Sequence, residues 1–190
     1  MRIGLYFGSF NPVHTGHCII ASYICNYTEI DQVWFVVSPQ NPFKASQTLL
    51  NEYHRLHLVQ LATDGDNRLI ASDIEFKLPR PSYTVDTLTY LNERNPGNQY
   101  SVIVGSDSFQ NLNKWKNGEI ILNEYALFVY PRPGFLVESN HQGNVHLVEA
   151  PLLDISSTQI RQLIKAKKSI RYLVPEPVRV ELERTGYYSR

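Results

Sequence analysis

Cysteine, methionine and tryptophan are all scarce in this chain. Its 190 residues include two cysteines, one methionine and two tryptophans. Cys18 and Cys25 lie seven residues apart on a segment of helical periodicity. That is two turns along one face, about 10 Å, too far for a disulfide within an intact helix. No CxxC pair occurs, and a reducing compartment is the expected setting. Net charge is also missing, since 18 Lys and Arg balance 18 Asp and Glu. This gives no support to a strongly basic nucleic-acid binder and excludes a disordered acidic chain. The 12 tyrosines are scattered, and the basic stretch KAKKSIR at 165–171 reads as a solvated helix end. No apolar run approaches the roughly 20 residues of a membrane span. The opening MRIGLYFGSF lacks a signal peptide's apolar region and cleavage site. A cytoplasmic protein is expected, with neither membrane nor nucleic acid as partner.

What is present suits a globular fold. Hydrophobic residues make up 43%, and a chain this long buries roughly 70% of its unfolded surface. One domain is expected over 1–190, with a small C-terminal helical portion from about 156. Apolar runs at Arg2–Phe7, Val33–Val37, Leu69–Ala71, Tyr100–Val104, Tyr125–Tyr130 and Val145–Val148 read as strands. Helical spacing marks Thr15–Tyr27, Thr48–Ala62, Ser82–Leu91, a segment from Ser156 or Ser157 to Ala166, and a last one near Pro177–Arg184. Ser72–Arg80 reads as extended and then a loop, with Pro79 and Pro81 excluding a helix. The alternation predicts an α/β fold: a Rossmann-like, open, mostly parallel sheet with helices on both faces. Ligands in such sheets bind beyond the carboxyl ends of the strands.

The first such end carries GSFNPVHTGH, residues 8–17. It is not the GxGxxG dinucleotide fingerprint, yet it has the form of a phosphate site. Gly8 and Ser9 are small enough for close backbone approach, and Asn11-Pro12 sets a turn. Gly16 keeps the helix entrance open. His14 and His17, three apart, face one side at a helix N-terminus, where N–H groups and the dipole favour an anion. Two histidines are too few for a zinc site, and His54 with His57 has no further ligand nearby.

Other strand ends add candidates. In DISSTQIR, residues 154–161, Arg161 follows Ser157 by one helical turn and can hold phosphate oxygens. The Ser82-Tyr83-Thr84 step precedes a helix and suits a small carboxylate. Trp115 stands in a polar stretch, either as a stacking platform or as a hydrophobic plug. Trp34 reads as core. Asp107 suits ribose hydroxyls or a helix cap. Lys44 and Arg55 are phosphate-side cations or surface charges. Arg132 follows a strand and is a candidate pocket closer. Asp73 and Glu75 read as structural or loop-positioning groups.

Gly8 to His17 resembles the HxGH signature of the nucleotidylyltransferase superfamily. Over essentially its full length the chain is similar to the bacterial nicotinate-nucleotide adenylyltransferases. The likeness rests on residues 8–17, Lys44, Arg55, SYTVDTL at 82–88, GSDSF at 105–109 with Trp115, Arg132-Pro133, and ISSTQIR at 155–161. The family motif commonly has a second glycine where this chain has Ser9. The resemblance implies that ATP and nicotinate mononucleotide are substrates, with Mg²⁺ accompanying ATP. The mononucleotide phosphate attacks the α-phosphorus in line, giving the deamido dinucleotide of NAD biosynthesis and pyrophosphate. The resemblance places ATP against Gly8, Ser9, Phe10, His14, His17, Gly105, Asp107, Ile155, Ser156, Ser157 and Arg161. It places the mononucleotide against Asn11, Lys44, Ser82, Tyr83, Thr84 and Trp115, with Arg55 and Arg132 as further candidates. His17, His14 and Arg161 carry the chemistry, and no protein metal ligand is implied. Nicotinamide mononucleotide or pantetheine phosphate as acceptor, and a non-catalytic nucleotide-binding module, remain as alternatives. A homo-oligomer is left open, because the C-terminal GYYSR can pack on the core or on a partner.

Overall fold

The computed structural model describes residues 1–40, 49–135, 137 and 144–189. Strands and helices largely alternate in chain order, with six strands among the described residues. They are β1 (Arg2–Gly8), α1 (Thr15–Tyr27), β2 (Gln32–Val37), α2 (Glu52–Thr63), β3 (Leu69–Ser72), α3 (Thr84–Arg94) and β4 (Gln99–Gly105). Then follow α4 (Ser106–Phe109), α5 (Gly118–Glu124), β5 (Ala126–Tyr130), β6 (Val145–Leu147), α6 (Ser157–Lys165) and α7 (Glu176–Thr185). The sheet order is β3-β2-β1-β4-β5-β6, and every pairing is parallel. The order reverses between β1 and β4, so a crevice opens at their carboxyl ends.

Strand alternation explains the two cores. Tyr6, Val33, Phe35, Val37 and Ile103 point to one face, where Ile20, Ile24, Leu58, Ile160 and Leu182 cover them. Ile3, Leu5, Val36, Val102 and Val104 point to the other, against Val85, Leu88, Leu91 and Ile121. Period-two strands covered on both sides need apolar residues at every position, hence runs such as VWFVV. Trp34, expected in the core, is half-buried on the second face, with its Nε1–H donating to Gln32 Oε1 at 3.2 Å.

Some boundaries differ from the sequence reading. The helix expected from Thr48 begins at Glu52, because Asn51 caps it by accepting the Tyr53 N–H at 2.9 Å. Ile74–Lys77 forms a short 3-10 helix inside the stretch expected to be extended. The short helices α4 and α5 were unforeseen, since four and seven residues carry too little periodicity to register. Among the described residues no helix is long and apolar enough to cross a membrane. Both cysteine thiols are free, and burial pushes both pKa values up, that of Cys18 to about 11. The C-terminal tail packs back on the first core through Tyr187 and Tyr188.

Candidate active site

The loop after β1 forms the floor of the crevice. Phe10 takes a left-handed φ of 45°, and the Asn11–Pro12 peptide is cis. Phe10 is 3% exposed. A Cβ on Gly8 would meet its ring at 2.9 Å, so this glycine serves the loop's own packing as well as the open backbone beside it. A Cβ on Gly16 would lie 3.1 Å from His14 Nδ1, so the helix entrance stays open for the imidazole.

His14 is the N-cap of α1. Its backbone N–H donates to His17 Nδ1 at 3.2 Å. A neutral His17 therefore carries its proton on Nε2, as a donor. The two imidazoles stack, with centroids 3.6 Å apart and planes 23° apart. Phe10 and Tyr6 meet the His17 ring edge-on at 5.0 and 5.8 Å. Rings on three sides thus set the imidazole's orientation, the kind of preorganisation a catalytic donor needs. His14 is 4% exposed. Burial, helped by the Arg132 charge, lowers its pKa to about 4. Its Nδ1 is a buried polar atom with no hydrogen-bond partner among the described residues. It faces the Gly16 backbone at the start of α1, where the His17 N–H approaches it in a capping-box arrangement.

One cavity of about 1140 Å³ contains most of the predicted residues. On one wall α6 presents Ser156, Ser157 and Arg161. Ser156 caps α6 by accepting the Gln159 N–H at 3.2 Å, and Ser157 Oγ donates to the Pro12 carbonyl at 2.8 Å. Arg161 Nη1 donates to the Asn11 carbonyl at 2.7 Å. Helix α6 is thereby fastened to the first loop, and Arg161 lines the same cavity as the histidines. Beyond β4, Gly105 and Asp107 line the next wall. Gly105 is the N-cap of α4, and Asp107 lies in the first turn. The Asp107 carboxylate faces Arg132 Nε at 3.9 Å.

Ser82, Tyr83, Thr84 and Trp115 line the same cavity. Tyr83 is the N-cap of α3, so the first turn of that helix offers its N–H groups there. The Ser82 hydroxyl is turned inward and donates to Glu75 Oε2 at 2.7 Å, and Thr87 donates to Oε1 at 3.1 Å. Glu75 is 1% exposed. Burial pushes its carboxyl pKa up, while hydroxyls from Ser82, Ser38 and Thr87 pull it back. It thus anchors the Ser82–Thr84 step, as its reading as a positioning group anticipated. Trp115 is half-buried, packed on the second core and lining the cavity.

Three candidates fall elsewhere. Lys44 lies outside the described residues. Ile155 lines a small depression behind His14 and Gly16. Arg55 is neither a phosphate-side cation nor a surface charge. It is fully buried, and its guanidinium donates to the backbone carbonyls of Ser9, Ser38, Leu50 and Pro39 at 2.6, 2.8, 2.7 and 3.2 Å. The reason is topological: α2 packs under the loops after β1 and β2, whose carbonyls turn inward and need a donor. Sequence reasoning also missed Tyr6 and Tyr130, which line the cavity with their hydroxyls 3.1 Å apart. The available signal was a tyrosine near the carboxyl end of each of two apolar strands. Among the described residues no three His, Cys, Asp or Glu side chains gather as a metal site.

Residues 5–163 match the model of a family described as cytidylyltransferase-like. A protein of Cytophaga hutchinsonii named "Probable nicotinate-nucleotide adenylyltransferase" is 51% identical, over 100% of this chain and 99% of its own. One of the same name from Flavobacterium psychrophilum is 47% identical, over 100% of both chains. Among solved structures, Plasmodium falciparum nicotinic acid mononucleotide adenylyltransferase complexed with NaAD superposes with a TM-score of 0.83 at 20% identity. That likeness spans 98% of this chain and 97% of the other, and it is one of fold. Sequence kinship over the whole length, together with the histidine loop at the sheet's reversal point, places this chain in the nicotinate-nucleotide adenylyltransferase family of cytidylyltransferase-like proteins.

Proposed function

We propose that the cavity joins the adenylyl group of ATP to nicotinate mononucleotide, forming the deamido dinucleotide and pyrophosphate. The observation that carries this reading is a single cavity lined by two chemically different sets of residues. One set is the imidazoles, serines and a guanidinium, and the other is a helix N-terminus with a tryptophan. The first suits a triphosphate and the second an anionic planar ring.

An oxygen of the mononucleotide phosphate forms the new bond to the α-phosphorus. The bond from that phosphorus to the oxygen bridging to the β-phosphate breaks, and pyrophosphate leaves. The nucleophile is already anionic near neutral pH, so the protein's task is alignment and charge stabilisation. In this reading His17 Nε2–H donates to the α-phosphoryl oxygen as charge builds. His14, beside it, supports a substrate phosphate oxygen. Arg161, with the α6 N-terminus, takes the leaving pyrophosphate. Asp107 and Gly105 receive the adenosine ribose. Trp115 stacks on the pyridine ring while the first turn of α3 meets its carboxylate. Mg²⁺ accompanying ATP would offset charge on the phosphates.

The test is pyrophosphate release with ATP and Mg²⁺, using nicotinate and nicotinamide mononucleotides in parallel, with the dinucleotide product weighed by mass spectrometry. Strong preference for the acid is expected. Equal use of both overturns the account of carboxylate selection, and turnover with neither overturns the reaction.

A further inference from the structure

The C-terminal tail reaches the active-site loop. Gly186 ends α7 in the left-handed region at φ 67°, where a helix terminates readily. Two residues later Tyr188 takes φ 65°, which a side-chain-bearing residue disfavours. Such a conformation persists only where surrounding contacts over-determine it. These two turns carry the tail back under the molecule. The Tyr188 ring packs on the first core, and its hydroxyl donates to Asn11 Oδ1 at 2.6 Å across 177 residues of sequence. The same oxygen accepts the Leu50 N–H at 3.2 Å.

Asn11 is a junction. Its side-chain oxygen holds the tail and the entry to α2, while its carbonyl holds Arg161 Nη1 at 2.7 Å. It precedes Pro12, whose carbonyl accepts from Ser157. A shift of Asn11 therefore moves the guanidinium relative to His14 and His17. Tyr188 is not among the residues lining the cavity.

We infer that Tyr188 is a positioning residue, setting the first loop, and through it the spacing of Arg161 and the histidines, from outside the site. The kinetic part of this inference rests on the reaction proposed above. The structural part does not.

Tyr188→Phe removes the hydroxyl and keeps the ring, so the packing survives. The full-length protein and this variant are compared by hydrogen–deuterium exchange and by pyrophosphate release at a temperature well below unfolding. The peptide covering residues 8–17 should exchange at least threefold faster, with the β1 and β4 core unchanged. The kcat/KM for both substrates should fall by about two- to tenfold, as expected of one well-made hydrogen bond. Unchanged exchange over 8–17 overturns the inference. Faster exchange with kinetics within twofold also overturns it, because Tyr188 would then be structural only. If the wild-type protein releases no pyrophosphate, the proposed reaction fails, and the exchange result alone decides whether Tyr188 holds the loop.

Discussion

Replacing Arg55 by methionine removes a guanidinium that is fully buried and bonded to four backbone carbonyls. Methionine fills a similar volume and donates nothing. The four bonds do not add, because the buried charge disappears together with them and the loops relax in part. Each buried carbonyl left without a donor costs about 1–3 kcal/mol, and with the charge gone and partial relaxation the net loss expected is about 3–5 kcal/mol. For a chain of this length each kcal/mol lowers Tm by about 2–4 °C. The expected fall is therefore about 6–20 °C. Arg55→Lys keeps the cation but loses the planar fork, so it should recover part of the loss. Ser9 and Ser38, whose carbonyls are released, line the cavity, so kcat/KM should fall in both variants. Thermal and urea unfolding, checked for a single cooperative transition, measure the first effect. A methionine variant whose Tm stays within about 3 °C of wild type refutes the argument. A lysine variant indistinguishable from wild type shows that charge matters and the fork does not.

His17→Ala should lower kcat by about 10²–10³-fold, the range for a lost transition-state donor, with ATP affinity within about threefold. A kcat within threefold of wild type removes His17 from its role. Trp115→Ala should raise KM for the mononucleotide by about 5- to 150-fold, from a stacking loss of about 1–3 kcal/mol; an unchanged KM and kcat/KM leaves only the plug. The pH dependence follows from His14, whose folded pKa of about 4 lies below its ordinary value of 6.5. The unfolded chain then binds the extra proton between these values, so stability falls as pH drops through 6.5 and levels off below about 4. The full span is about 3 kcal/mol. Urea unfolding from pH 7 to pH 4 should show this loss, and His14→Asn should flatten it; equal slopes in the two proteins reject the burial argument.

Residues near one another in sequence were legible where chemistry is local. The ordered strands, the helix after His14 and the cap at Ser156 follow from short-range periodicity and turn residues. The placing of candidate residues beyond strand ends also followed, because an alternating pattern implies a parallel sheet with its crevice there. The short helix at Ser106–Phe109 did not, since four residues hold barely one turn.

By itself the sequence determined the alternation of strand and helix, and which polar side chains stand at the ends of β1 and β4 and at the start of α6. Tertiary structure alone decided what those side chains meet. Arg55 became a buried clamp because carbonyls 16 and 46 residues away turned toward it. The pKa of His14 fell because the fold closed around it. Tyr188 joined the first loop from 177 residues away. Periodicity is a property of neighbours along the chain, whereas burial, protonation and hydrogen-bond partners are set by which distant segments the packed sheet brings together.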